Sequence, residues 1–256
     1  MLITGPEPYS GVLKGHAELH TFSVLIPAKD EAANLEATVS KVSNLLRARR
    51  IPHQILVVND HSIDESALVL KSLKKQIPEL TVVDNQDNTG FGRAIKHGLM
   101  HVTGDAVAIL MADESDRYED LVVYWNELQE GVDAVFGSRF IEGGEVIEYP
   151  YFKLVLNRLV NWGIRVLFSI DLNDTTNAFK AYRMSAIRSL GPIASNNFNI
   201  TVELPLKLVI NRMSWKVVPT VWTGRSFGKS KLKLKEMGSQ YLLTIAYLWF
   251  NKLLIK

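Results

Sequence analysis

The sequence contains no cysteine, which excludes disulfides and thiolate-bound metal sites. Long apolar runs are missing too. No stretch reaches the roughly 18 uninterrupted apolar residues of a clear membrane span. Residues 1–20 lack a basic segment followed by an apolar one, so no secretory signal is read; they form a loose leader of Gly, Pro and Ser without periodicity. Charge of one sign is scarce: 29 Lys and Arg against 27 Asp and Glu give a formal +2, which argues against nucleic acid as a partner held by bulk electrostatics. The six histidines (His16, His20, His53, His61, His97 and His101) show no metal-like pairing, and no Ser-His-Asp constellation stands at recognisable spacing.

What is present is a core. Hydrophobic residues make up 47% of the 256, enough for one large α/β domain or two small ones. Apolar runs at 22–27, 54–58, 80–83, 106–111 and 134–137 alternate with segments of helical spacing at 31–50, 64–76, 91–101 and 119–130. The first helix carries its apolar stripe through Leu35, Val39, Val42 and Leu46. This alternation predicts βαβ units and a parallel sheet covered on both faces.

Beyond residue 145 the pattern changes. Residues 151–170 read as an apolar helix whose polar positions Lys153, Asn157, Asn161 and Arg165 recur every four residues, one narrow stripe. Residues 241–250 are almost wholly apolar and aromatic, with Lys252 and Lys256 beyond. Two readings stand: core helices, or helices lying in a membrane surface with aromatics at headgroup level.

The chemistry concentrates at strand ends. Residues 106–111 run into Asp113-Glu114-Ser115-Asp116, and a strand ending in carboxylates delivers negative charge to the sheet edge where open α/β folds bind ligands. Such oxygens suit a hard divalent cation and, through it, a phosphate-bearing substrate. The same residues are good helix caps. The first strand ends in Pro27-Ala28-Lys29-Asp30-Glu31 and the second in Asn59-Asp60-His61-Ser62-Ile63-Asp64, so acids follow three strands. Capping alone explains one such acid more easily than three.

Six motifs in order resemble the family 2 glycosyltransferases, and among them the polyprenyl-phosphate (dolichol- or undecaprenyl-phosphate) sugar synthases. Residues 27–31 resemble Pro-Ala-Tyr-Asn-Glu, and 59–64 resemble Asp-Asp-Gly-Ser-Thr-Asp. Residues 88–94 match Asn-x-Gly-x-Gly-x-Ala, and 137–144 match Gly-Ser-Arg-Tyr with its following Gly-Gly. Residues 174–180 resemble Asp-x-x-Ser-Gly-Phe-Arg, and 225–231 resemble Arg-x-x-Gly-x-Ser-Lys. The resemblance spans about residues 22–231. It implies a GT-A fold, Rossmann-like with a mostly parallel sheet and helices on both faces, followed by C-terminal amphipathic helices. The catalytic domain would span 21–236, with a nucleotide-sugar half at about 21–140, an acceptor half at about 141–236, and an apolar helix at 237–256.

The resemblance also implies roles. Pro27, Ala28, Glu31, Asp60, Gly90, Gly92 and Arg93 would line the site of a GDP- or UDP-hexose. Gly90 and Gly92 also fit part of a dinucleotide fingerprint, but Ile95 holds the third glycine's place. The family's metal motif, Asp-x-Asp, is altered: Met111 stands at its first position and Asp113 at its second. Asp113 is then the primary ligand for Mg²⁺ or Mn²⁺, with Asp116 or Glu114 in compensation. Arg139, Arg225, Lys229 and Lys231 are candidates for an acceptor phosphate, since cations must position a second phosphate near the first. Residues 229–235 read equally as a solvated basic loop. Asp174 would orient Arg139 or the acceptor phosphate. Ala178 replaces a family glycine, which narrows the acceptor site. Glu203 is either a base toward an acceptor hydroxyl or a helix-start charge.

These readings point to a metal-dependent, inverting hexosyltransferase acting on a polyprenyl phosphate, peripheral on the cytoplasmic membrane face. The alternatives are transfer to a glycan or protein hydroxyl with Glu203 as base, and a nucleotide-binding module without catalysis.

Overall fold

The computed structural model describes residues 17–224 and 234–254. Strand β1 (Phe22–Ala28) leads to helix α1 (Ala32–Ala48), β2 (His53–Asn59) to α2 (Ser66–Gln76), and β3 (Leu80–Asp84) to α3 (Phe91–Leu99). Then come β4 (Ala106–Ile109), α4 (Asp120–Gln129) and β5 (Ala134–Ser138). Leu35, Val39, Val42 and Leu46 of α1 are all fully buried, as their spacing predicts. Strand β4 is shorter than its apolar run: Leu110 bonds back to Leu25, but Met111 has already left the ladder.

The second half adds β6 (Glu145–Ile147), α5 (Tyr151–Phe168), β7 (Lys180–Arg183) and α6 (Met184–Ser189). It continues with α7 (Ile200–Ile210), β8 (Trp215–Pro219), β9 (Val221–Thr223) and α8 (Leu234–Leu254). The sheet order is β3-β2-β1-β4-β7-β5-β8, with β6 and β9 forming a separate parallel pair. Strands β1 to β4 run parallel to one another, but β7 enters between β4 and β5 and is antiparallel to both. The sheet is therefore mostly parallel rather than wholly so. Inserting β7 brings residues 173–180 from the second half into the centre of the first.

One apolar cluster packs α1, α2 and α4 on one face, and another packs α3, α6 and α7 on the other. The parallel strands are buried on both sides, which is why their sequences are continuously apolar. A third, smaller cluster joins Ile164 and Phe168 of α5, Val202 and Leu206 of α7, and Ile245 and Leu248 of α8.

Helix α5 is turned against the usual rule. On a surface helix the polar stripe meets water, yet here Asn157 and Asn161 of the stripe meet protein, while Arg165 stays exposed. Asn161 is only 1% exposed, and both Asn157 and Asn161 donate to the Thr176 hydroxyl, at 2.8 and 2.9 Å. Phe152, Val155, Leu159, Trp162 and Val166 face outward, with Phe152 71% and Trp162 62% exposed. Leu242, Leu243, Tyr247, Phe250 and Leu254 continue the apolar surface on α8. Neither the core reading nor the interfacial reading covers these helices alone, because each packs one edge into the third cluster and exposes the other. No helix among the described residues is long and apolar enough to cross a membrane.

Candidate active site

A cavity of about 850 Å³ opens between the sheet edge and helices α5 and α8. One end is lined by Met111, Asp113, Asp116 and Arg139; the rest is walled by apolar residues such as Leu159, Val160, Trp162, Leu242 and Ile245. Lys153, Glu148, Tyr149, Phe198, Trp222 and Tyr241 also reach it.

Asp113 and Asp116 are both buried, at 2% and 5% exposure. Ser115 donates its backbone N–H and its hydroxyl to one oxygen of Asp113, the latter at 2.6 Å. The Met111 N–H donates to Asp116 at 3.3 Å. Burial, and next the neighbouring Asp113 charge, push the Asp116 carboxyl up to about 7. Two acids with this environment would gain from a cation between them and a phosphate. Glu114 goes elsewhere: its backbone is left-handed, with φ of 59°, and its side chain pairs with Lys41 at 2.8 Å. In this arrangement Glu114 is engaged by Lys41 and is not among the residues lining the cavity. Among the described residues no group of three or more His, Asp or Glu side chains could hold a metal.

The acid loop is fixed from outside. Asp116 makes an antiparallel bridge with Trp222, and Thr223 N–H bonds Ser115 C=O at 2.9 Å. Trp222 meets Tyr149 edge to face at 4.9 Å. Tyr149 and Trp222 carried no motif.

Arg139 is held by Asp174. Nε donates to Oδ2 at 2.8 Å, Nη2 to Oδ1 at 2.7 Å, and the Arg139 backbone N–H to Oδ2 at 3.1 Å. Burial alone would lower the guanidinium, but Asp174 outweighs it and holds the pKa above the ordinary value. The planar guanidinium also lies over the rings of Phe140 and Tyr149, so the fork is fixed in the cavity wall. Asp174 does not line the cavity, which makes it the residue that orients Arg139.

Beneath them sits Lys180, fully enclosed. Its ammonium donates to the carbonyls of Thr175, Asn177 and Thr201. The last of these is available because Pro205 has no N–H to close the helical bond to Thr201. Burial lowers the Lys180 ammonium to about 7, against the opposing pull of Asp174.

The residues expected to line a nucleotide-sugar site share this sheet edge but not the cavity. Pro27 and Ala28 pair with Val58 and Asn59 at the ends of β1 and β2. Glu31 accepts from Asn34 at 2.8 Å. Asp60 accepts from Asn85 at 2.7 Å and from both the Thr89 hydroxyl and the Gly90 N–H at 2.9 Å. Its carboxylate thus shapes the turn into α3, which the motif alone did not indicate. Arg93 donates to Thr89 C=O at 3.0 Å. Gly90 and Gly92 are glycines because the 195–197 backbone lies against them. A Cβ on Gly90 would stand 2.5 Å from the Asn196 oxygen, and one on Gly92 would stand 2.8 Å from three backbone atoms.

Glu203 stands apart from the cavity. It lies in the first turn of α7, 1% exposed and outside the cavity wall. Its two oxygens accept from the N–H groups of Ala194 and Ser195 at 2.8 and 2.6 Å, and Lys207 pairs with it at 3.1 Å. Burial alone would raise the carboxyl, but the bonds from Ser195, Ala194 and Lys207 prevail and hold it below the usual carboxylate range. Arg225, Lys229 and Lys231 lie outside the described residues, as do residues 1–16 of the leader.

The family described as glycosyl transferase family 2 matches residues 23–191. The chain is 28% identical over 215 residues to the polyprenol monophosphomannose synthase of Mycolicibacterium smegmatis, covering 82% of this chain and 80% of that protein. It is 29% identical over 217 residues to the dolichol-phosphate mannosyltransferase of Pyrococcus furiosus, covering 83% of this chain and 59% of that protein's length. Among solved structures, glucosyl-3-phosphoglycerate synthase from Mycobacterium tuberculosis, in complex with Mn²⁺, UDP and phosphoglyceric acid, superposes with a TM-score of 0.69 at 17% identity, over 90% of this chain and 78% of that one. At that identity the likeness is one of fold.

Proposed function

We propose that this chain, which belongs to glycosyl transferase family 2, moves a hexose from a GDP- or UDP-linked donor to the phosphate of a polyprenyl phosphate. In this reading it works from the cytoplasmic face of a membrane, with inversion at the transferred carbon. The observation that carries the proposal is the cavity: fixed charges at one end and an apolar wall, continuous with an exposed apolar surface, along the rest. An amphiphile with an anionic head and a hydrocarbon tail matches both parts. The names of the two curated relatives point to the same acceptor class.

Residues 21–140 would carry the donor and 141–236 the acceptor. Asp113 and Asp116 fit Mg²⁺ or Mn²⁺, since a hard cation needs only one or two protein carboxylates when phosphate oxygens and water complete its shell. When bound, such an ion neutralises charge developing on the leaving diphosphate. The chain's own groups do the rest. Arg139, whose Nε and Nη2 fork is taken by Asp174, offers its remaining Nη1 and Nη2 hydrogens to the acceptor phosphate, and Lys153 adds a second cation from α5. Arg225, Lys229 and Lys231 are proposed to join them. A phosphate oxygen is already an anionic nucleophile, so no strong base is required. The engagement of Glu203 elsewhere favours this acceptor over a hydroxyl.

The test is a donor screen. Purified protein, Mn²⁺ and a short polyprenyl phosphate are incubated with each nucleotide sugar, and lipid-linked sugar is read. Transfer from one donor is expected; donor binding without transfer to any lipid phosphate would refute the acceptor.

A further inference from the structure

Residues 191–199 connect α6 to α7 and form neither helix nor strand, so their backbone groups need partners from outside. Those partners come from two directions. Toward the donor side, Arg93 N–H donates to Asn196 C=O at 3.2 Å, and Lys96 Nζ donates to the Asn196 side chain at 2.7 Å. Phe91 stacks on Phe198 with ring centres 4.2 Å apart. Toward the acceptor side, Asn197 donates to Gln240 at 3.0 Å, Asn199 to Thr244 at 2.9 Å, and the Tyr241 hydroxyl to Phe198 C=O at 2.9 Å. One segment therefore touches the start of α3, beside the Asp60 turn, and the cavity wall of α8. What fixes the segment is Glu203, through the Ala194 and Ser195 N–H groups.

We propose that Glu203 is a positioning residue: through the 194–199 strap it holds the donor-side start of α3 and the acceptor-side helix α8 in one arrangement. This rests on the reading of the two sides given above. Loss of the clamp weakens binding at both sides, whereas loss of one strap contact weakens binding at one. A base would behave otherwise, because its removal slows the chemical step and changes the pH profile.

The experiment compares Glu203→Gln, Lys96→Met and Gln240→Ala by steady-state transfer from the nucleotide sugar to a short polyprenyl phosphate. Glu203→Gln is expected to raise KM for donor and acceptor, each by about fivefold, the order of one lost hydrogen bond. Its kcat stays within about threefold of wild type and its pH profile does not move. Lys96→Met raises the donor KM alone, and Gln240→Ala the acceptor KM alone. A kcat loss of about a hundredfold or more in Glu203→Gln with both KM values unchanged would make it a base and overturn the proposal. So would a lowered melting temperature with unchanged KM in all three variants. If Glu203→Gln does not fold, the split between Lys96→Met and Gln240→Ala decides alone. If the wild type binds nucleotide but transfers to no lipid phosphate, the acceptor reading fails. UDP and GDP affinities in the presence of Mn²⁺ then test the strap: weaker binding in Lys96→Met and Glu203→Gln supports it, and unchanged binding overturns it.

Discussion

Asp116 turns its carboxylate back onto the backbone N–H of Met111, the residue that stands at the first position of the family's Asp-x-Asp motif. In the proposed function, Asp116 supplies from five residues later the acid missing at the motif's first position, and both residues line the cavity. Asp116→Asn is expected to weaken Mn²⁺ binding in the presence of nucleotide by about tenfold or more, the scale of one lost ligand contact. Met111→Asp in that background should recover most of the loss. Titration of free Mn²⁺ by electron paramagnetic resonance reads both, and a double variant no better than Asp116→Asn would disprove the exchange.

The Arg139–Asp174 pair is buried on both sides, so breaking it leaves an uncompensated charge. Asp174→Ala should lose about 3–5 kcal/mol of stability in urea unfolding. Asp174→Asn keeps the shape and loses the charge. It should fold, and raise the acceptor KM more than the donor KM.

Lys180 gives a pH dependence with a defined sign. Its folded pKa, about 7, lies below the ordinary 10.5. Between these values the unfolded chain holds more protons, so this group makes stability rise with pH across that window and contributes no slope below it. Lys180→Met removes three donated hydrogen bonds and should cost about 2 kcal/mol at neutral pH. The gap between wild type and variant should widen from pH 7 to pH 9. A gap that stays constant in urea titrations at the two pH values would show that Lys180 is charged throughout.

Phe152 and Val155 point outward from α5 and take no part in the cavity wall. Replacing both by Asp should abolish co-sedimentation with anionic phospholipid vesicles. Transfer to a short, water-dispersed acceptor should stay within about twofold, since no charge at the cavity is touched. Equal vesicle binding by the double variant would move the membrane contact elsewhere.

The first half of the fold was legible because buried parallel strands and amphipathic helices write their periods plainly, as the stripe from Leu35 to Leu46 does. The position of β7 was not, since four residues with a lysine and an arginine carry no strand period. The polar stripe of α5 was visible, but its direction was not: a sequence records which residues share a face and leaves open what that face meets. Asp113 and Arg139 followed from their motifs. Glu203 was ambiguous because a carboxylate that clamps two N–H groups and one that takes a proton look alike until their neighbours are known.

The reversed setting of α5 makes its length as constrained as its composition. One inserted residue would turn everything beyond it by about 100°, the angular step of a helix. Trp162 would then swing toward the protein while Asn161 swung toward the exposed apolar side. Insertions within 151–168 should be tolerated only in near-whole turns, a restriction usually met in coiled coils and here imposed by a single helix that buries asparagine and exposes tryptophan.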